Sequence, residues 1–117
     1  MTILCYDKCS TCRKALQWLD AKGAVYTVRP IKEENPNYEE LLSWQKQSGL
    51  PIRRFFNTSG MLYRELNLKD RLSGMTEDEQ LRLLASDGML VKRPLLVSEK
   101  AVIPGFKEKD WEAVIET

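Results

Sequence analysis

The sequence predicts one α/β domain with a mixed four-stranded sheet and an all-helical insertion. The opening third reads strand, helix, strand, the middle carries only helical periodicity, and the last third returns to two short strands and a helix. With 117 residues, the chain has the length of a single domain. We expect the sheet-forming core over about residues 1–34 and 89–117 and the helical insertion over about 35–88.

The first third predicts two parallel strands joined by a helix. Residues 2–6 are apolar, and residues 10–22 place apolar side chains on one helical face before Gly23 ends the helix. Residues 24–28 are β-branched or aromatic and predict the second strand. A right-handed crossover makes two such strands parallel neighbours.

The middle of the chain begins with two predicted helices. Asn35 reads as an N-cap with Pro36 at the first helical position, and this helix is expected to end near Gly49. Pro51 opens a short helix that carries apolar side chains.

Two further helical segments complete the insertion. After a polar loop over residues 57–60, residues 63–66 predict a short helical piece. Thr76 and Glu79 form a capping box that starts a longer helix, which Gly88 is expected to stop.

The last third predicts a hairpin and a closing helix. Residues 94–98 and 101–103 are strand-like and flank a Glu99-Lys100 turn, and residues 109–116 form an amphipathic helix. The resulting order, β-α-β, helical insertion, β-β-α, is that of the thioredoxin-like fold interrupted by a helical segment.

Composition excludes several functions. A net charge of +1 gives no basic surface for direct nucleic-acid binding, and no apolar run reaches the ~20 residues that span a bilayer. The chain has no histidine, which excludes a Cys–His nucleophile pair, and we expect no metal site. Three cysteines without an export signal predict a cytoplasmic protein rather than a disulfide framework.

The most informative motif is Cys9-Ser10-Thr11-Cys12, which lies between the first strand and its helix. The first turn of a helix offers unpaired backbone N–H groups and the positive end of the helix dipole, and both favour a thiolate. We therefore expect Cys9 to be the nucleophile and Cys12 to be the resolving thiol on the same side of the helix. Cys5, inside the apolar strand, is expected to belong to the core.

These motifs together resemble the ArsC/Spx/MgsR family. The resemblance rests on residues 9–15, 56–60, 63–68, 92–95 and 105–106, and it runs through essentially the whole chain in order. It is closest to a bacterial arsenate reductase-like branch. The resemblance implies a thioredoxin-like fold with a helical insertion and thiol redox chemistry at the first cysteine of the motif.

The resemblance also implies a substrate site around Cys9. The Arg93-Pro94 peptide bond is then expected to be cis, with Arg93 beside Cys9, favouring its thiolate and binding an anionic substrate. At the positions of two further arginines that hold arsenate in the arsenate reductases, this chain has Asn57 and approximately Gly105. An amide and a glycine do not replace bidentate cations, so arsenate is a doubtful substrate.

Other side chains complete the expected site. Within the motif lie Ser10 and Thr11, and Arg13 follows it directly. These three residues are candidate substrate-binding residues, as are Asn57 and Pro94. The loop over residues 57–60 either lines the same cleft or is simply a capping turn. Lys8, Arg13 and Arg54 are additional cations whose direction the sequence leaves open.

Two functions therefore compete. In the first, the protein is a cytosolic thiol–disulfide oxidoreductase with no bound cofactor, and glutathione with glutaredoxin, or thioredoxin, is its external reductant. In the second, it is a Spx-like redox-sensing regulator that binds the C-terminal domain of the RNA polymerase α subunit and does not read DNA alone. A structural protein that has only kept the motif is a third, weaker alternative.

Overall fold

The computed structural model describes residues 1–115 and places four strands in one mixed sheet with the order β2-β1-β3-β4. Within these residues the strands are β1 (Thr2–Cys5), β2 (Thr27–Pro30), β3 (Leu95–Val97) and β4 (Val102–Pro104), and the helices are α1 (Ser10–Ala21), α2 (Tyr38–Ser48), α3 (Met61–Glu65), α4 (Leu68–Arg71), α5 (Glu77–Ser86) and α6 (Glu108–Ile115). Strand β1 pairs parallel with β2 and antiparallel with β3, which pairs antiparallel with β4. The predicted thioredoxin-like α/β fold with a helical insertion is confirmed.

The sheet separates two apolar layers. Ile3, Cys5 and Leu96 lie in the cluster that includes the buried faces of α1 and α6. Leu4 and Leu95 belong instead to the cluster built with the helical insertion. Because successive strand residues point to opposite faces of the sheet, β1 and β3 contribute side chains to both apolar layers.

The second strand is shorter and later than the predicted range of 24–28. Val25 is 90% exposed and lies outside the sheet, and β2 begins at Thr27, whose amide donates to the Met1 carbonyl at 2.9 Å. The prediction was wrong because β-propensity is a local property of the segment. Which residues of the segment form β2 depends instead on where the neighbouring strand β1 offers pairing partners.

Helix α2 starts after Asn37, not at Pro36 as predicted. The Asn37 side chain accepts from the Glu40 amide at 2.8 Å, and the Glu40 carboxylate accepts from the Asn37 amide at 3.1 Å. Asn35, predicted as the N-cap, donates from its side chain to the Ala85 carbonyl at 2.8 Å. The reciprocal capping box satisfies two N–H groups, which explains why the helix begins there.

Gly88 has a different role from the predicted helix stop. The capping box of Thr76 and Glu79 starts α5 as predicted, but α5 already ends at Ser86, and Gly88 opens a short 3₁₀ turn. A Cβ at Gly88 would lie 1.8 Å from the Ile31 carbonyl oxygen. Glycine is therefore required here by the close packing of the insertion against the segment after β2.

Two helices of the insertion differ in type or in extent from the predicted ones. The short helix after Pro51 is a 3₁₀ turn over Ile52–Phe55. The piece predicted at residues 63–66 is α3, which starts at Met61 and is followed by α4. Asn67 separates the two with a φ of 54°, a left-handed conformation that asparagine tolerates and a continuous helix does not.

The remaining elements begin and end within one residue of their predicted bounds. Gly23 and Gly49, with φ of 69° and 71°, follow α1 and α2 as predicted. The closing helix, predicted over 109–116, is α6, and Glu116 lies outside the described residues. Among residues 1–115, no helix has both the length and the apolar character needed to cross a membrane.

Candidate active site

Cys9 is the N-cap residue of α1. Its backbone is extended, with φ −96° and ψ 117°, and its sulfur accepts a hydrogen bond from the Cys12 amide at 3.4 Å. The Cys9 amide donates to the Tyr6 carbonyl at 3.1 Å, which fixes the turn from β1 into the helix. The sulfur thus faces the positive end of a 12-residue helix, as the position of the motif predicted.

Cys12 lies beneath Cys9, against the sheet. It is 1% exposed and shares the buried stripe of α1 with Ala15 and Leu19. A hydrogen bond to Cys5, reinforced by burial, raises the pKa of the Cys12 thiol well above its ordinary value. Cys5 is buried, as predicted for a core residue, but its contact with Cys12 has no signal in the sequence.

A cavity of about 670 Å³ opens beside Cys9. Its lining includes four cationic side chains, Arg54, Lys92, Arg93 and Lys107, and no carboxylate among the residues described. They come from the 3₁₀ turn of the insertion, from the segment before β3 and from the residue before α6. The cavity therefore favours an anionic group close to the Cys9 sulfur.

Arg93 is held in place without an acidic partner. Its Nη1 donates to the Met89 carbonyl at 3.3 Å, and its guanidinium carbon lies 5.1 Å from the centre of the Tyr6 ring. Its Nε is buried and has no hydrogen-bond partner, and no ion pair within residues 1–115 involves it. The expected cis peptide bond between Arg93 and Pro94 is present.

Asn57 adds an uncharged donor to the same cavity. It is only 8% exposed, and its backbone amide donates to the Leu90 carbonyl at 2.7 Å. Ser59 donates to its side-chain oxygen at 3.4 Å, whereas its side-chain nitrogen has no partner within the described chain. Asn57 is thus a buried amide that offers an N–H donor to a ligand.

The structure brings together some of the predicted site residues but not all of them. Those that line the cavity are Cys9, Thr11, Arg54, Asn57, Ser59, Gly60, Arg93 and Gly105. Lys8, Ser10, Arg13 and Pro94 do not line it, and Cys12 is buried beneath Cys9 rather than at the cavity surface. Ser10 and Arg13 point to solvent from the first turns of α1, because the helical period turns them away from the buried stripe that carries Cys12.

Lys92 and Lys107 are the cationic lining residues that the sequence did not single out. Lys92 is the first residue of the 92–95 motif and Lys107 directly follows the 105–106 motif, and this position in the sequence was the only available signal. The sequence left open where the Arg54 side chain points, and the structure places it in the cavity lining. Within residues 1–115, no cluster of His, Cys, Asp or Glu is arranged to hold a metal ion.

The chain is similar to a known protein family and to individual bacterial proteins. The chain matches the model of the ArsC family over residues 4–114. The uncharacterized protein YusI of Bacillus subtilis is 54% identical over 112 residues, which cover 96% of this chain and 95% of YusI. The regulatory protein MgsR of the same bacterium is 31% identical over 106 residues, which cover 91% of this chain and 82% of MgsR.

A solved protein structure is also closely similar to the structure of this chain. The crystal structure of an ArsC family related protein from Bacteroides fragilis superposes with a TM-score of 0.95 at 51% identity, covering 97% of this chain and 95% of that one. The match extends over both the sheet and the helical insertion. The resemblance predicted from the motifs is confirmed.

Proposed function

Because the chain belongs to the ArsC family, we propose that it is a thiol–disulfide oxidoreductase acting on anionic disulfides. One observation carries this proposal: the Cys9 sulfur caps α1 at the wall of a cationic cavity, with the buried Cys12 thiol directly behind it. A helix N-terminus and nearby cations stabilise the thiolate that attacks disulfides. The second cysteine provides an intramolecular route for releasing the product.

The proposed cycle transfers two electrons to the substrate. The Cys9 thiolate attacks one sulfur of a disulfide, forms a mixed disulfide and expels the first thiolate. Cys12 then loses its proton and attacks the Cys9 sulfur, which releases the second thiolate and leaves a Cys9–Cys12 disulfide. An external thiol, either glutathione with glutaredoxin or thioredoxin, restores the dithiol, so the cycle requires no bound cofactor and suits the reducing cytoplasm.

The same geometry argues against arsenate as the substrate. The three positions that carry arginine in the arsenate reductases, here Arg93, Asn57 and Gly105, do line one cavity. Of these three residues only Arg93 offers the planar, bidentate cation that a tetrahedral oxyanion prefers, and Arg54 enters the cavity from a different position. We therefore expect glutathione disulfide, whose carboxylates suit the cavity, to oxidise the dithiol, and arsenate not to do so.

A trapping experiment tests the proposal. The Cys12→Ser variant, treated with glutathione disulfide, is expected to retain one glutathionyl group on Cys9, whereas the wild-type chain forms an internal disulfide and retains none. Cys9→Ser is the matched control, since serine is itself a favoured N-cap and the helix start is preserved. An adduct on another cysteine, or no adduct in the Cys12→Ser variant, would contradict the mechanism.

A second candidate function follows from the similarity to MgsR, which is named as a regulatory protein. In this case the Cys9–Cys12 pair senses oxidation and controls binding to RNA polymerase. Pull-down of the C-terminal domain of the polymerase α subunit with reduced and oxidised chain tests the alternative. A saturable interaction that depends on the redox state favours the regulator, and its absence in both states eliminates it.

A further inference from the structure

Cys5 is a third thiol that the proposed cycle does not use. It is the last residue of β1, it is 5% exposed, and it lies on the sheet face that packs against α1. Only a short turn separates the end of β1 from the start of α1, so the topology brings Cys5 next to the first turn of that helix.

Cys12 lies between the other two cysteines. It is on the stripe of α1 that faces the sheet, in the same buried cluster as Cys5. Its amide donates to the Cys9 sulfur at 3.4 Å, and the Cys5 side chain is close enough to raise the pKa of its thiol. The hydrogen bond with Cys12 lowers the pKa of the Cys5 thiol.

This order matches the requirement of thiol–disulfide exchange. The attacking thiolate approaches one sulfur of a disulfide while the other sulfur leaves, so the attacked sulfur contacts both of the others. Cys12 is hydrogen-bonded through its amide to the Cys9 sulfur and shares its buried cluster with Cys5, so it adjoins both of the other cysteines. In a Cys9–Cys12 disulfide, Cys5 is therefore the thiol placed to attack Cys12 and to displace Cys9.

We propose that Cys5 is a second resolving thiol, which converts the Cys9–Cys12 disulfide into a buried Cys5–Cys12 disulfide. The step rests on the proposed function, which supplies the first disulfide. The Cys5 thiolate attacks the Cys12 sulfur, a Cys5–Cys12 bond forms, the Cys9–Cys12 bond breaks, and Cys9 leaves as a thiolate. The proton lost by Cys5 balances the one that Cys9 can take up, and no electrons enter or leave.

The exchange changes which sulfur an outside reductant can reach. Cys5 and Cys12 are 5% and 1% exposed, so a disulfide between them is shielded from external thiols. Cys9 is half-buried at the cavity wall and is free again after the exchange, so it is the thiol placed to attack Cys12 and reopen the buried disulfide. The chain can thus store an oxidising equivalent in its core while its nucleophile stays reduced.

Peptide mapping tests the exchange directly. Trypsin cleaves after Lys8 and Arg13, so Cys5 falls in the peptide 1–8, and Cys9 and Cys12 fall together in 9–13. The chain is oxidised with glutathione disulfide, quenched with acid, alkylated and digested without reduction. We expect some of the peptide 9–13 to be joined to 1–8 through Cys12, with the alkyl group on Cys9.

Variants separate this proposal from the cycle on which it rests. The Cys9→Ser chain cannot form the first disulfide, so it is expected to yield no joined peptides after treatment with glutathione disulfide. Cys5→Ala is expected to keep the internal disulfide of 9–13 and to lose the joined pair. If 9–13 closes on itself while Cys5 is alkylated in every wild-type sample, or if Cys9→Ser yields the joined peptides as the wild-type chain does, the exchange is wrong and the cycle survives. If 9–13 never closes on itself in Cys5→Ala, the cycle itself fails.

Discussion

Gly60 lies so close to Asn57 that a Cβ at position 60 would sit 2.7 Å from the Asn57 side-chain nitrogen. The same nitrogen has no hydrogen-bond partner within residues 1–115, and both residues line the cavity beside Cys9. Because Asn57 is 8% exposed, its amide has little room to move away from a larger neighbour. Gly60 thus helps to define where this donor points.

Replacing Gly60 by alanine is expected to displace the Asn57 amide and weaken substrate binding. We expect kcat/KM for glutathione disulfide to fall by roughly tenfold, the equivalent of one hydrogen bond. Asn57→Ala should produce a similar loss, and the double variant should lose little more than either single one. Gly74→Ala is the control, because a Cβ there meets nothing within 4 Å. An unchanged kcat/KM in Gly60→Ala would remove Asn57 from the proposed binding site.

Arg93 is expected to select for the charge of the substrate. Its guanidinium lines the cavity without an acidic partner in the described chain, so an anionic ligand can form a charge-assisted hydrogen bond with it. In Arg93→Gln, kcat/KM for glutathione disulfide should fall roughly 10- to 100-fold, as for a bond to a charged group. Kinetics with the uncharged disulfide of mercaptoethanol should change much less.

The control for Arg93 is another arginine close in sequence to Cys9. Arg13 is exposed and lies outside the cavity, so Arg13→Gln should leave the ratio of the two kcat/KM values unchanged. Equal losses on the anionic and the uncharged disulfide in Arg93→Gln would show that Arg93 acts on the thiol or on the fold rather than on substrate charge.

Glu40 is expected to make the stability of the fold depend on pH. Two hydrogen bonds from Arg29, at 2.7 and 2.9 Å, lower the pKa of the Glu40 carboxyl from 4.5. Its contribution is therefore complete above the unfolded pKa and is lost as the pH falls through the lower folded value. Between pH 7 and pH 3, wild-type chain should lose about 1 kcal/mol more unfolding free energy than Glu40→Gln.

Urea unfolding across that pH range measures the Glu40 contribution. Glu39→Gln, on the exposed side of the same helical turn, removes a like charge without touching Arg29 and should keep the wild-type pH dependence. Parallel curves for wild-type chain and Glu40→Gln would refute the prediction.

Gly88→Ala is expected to destabilise the fold strongly. The added Cβ would meet the Ile31 carbonyl oxygen at 1.8 Å and the carbonyl carbon at 2.8 Å, and a backbone cannot yield as a side chain does. Overpacking costs about 1–3 kcal/mol, and a clash with rigid backbone lies at the upper end, which urea unfolding detects as a lower midpoint. Gly74→Ala again serves as the control and should lie close to wild type. A midpoint near wild type for Gly88→Ala would mean that the insertion can shift relative to β2.

Features that depend on neighbouring residues could be predicted from the amino-acid order alone. Cys9 as the N-cap of α1, the capping box of Thr76 and Glu79 and the helix ends at Gly23 and Gly49 each involve contacts within one or two turns of chain. The order of strands and helices follows from hydrophobic periodicity, which is also local. These features sufficed to predict the fold and the position of Cys9 at the start of α1.

Which distant residues meet was settled only by the packing of the folded chain. Arg54, Lys92 and Lys107 come together around Cys9 from separate parts of the chain, and nothing in their local sequence gives their direction. The start of β2 depends on where β1 offers a partner, and the need for glycine at position 88 depends on the carbonyl of a residue in another segment. The contact of Cys5 with Cys12 likewise requires α1 to pack on β1. Packing and strand pairing act between segments far apart in the chain, so their outcome is fixed only when the chain folds.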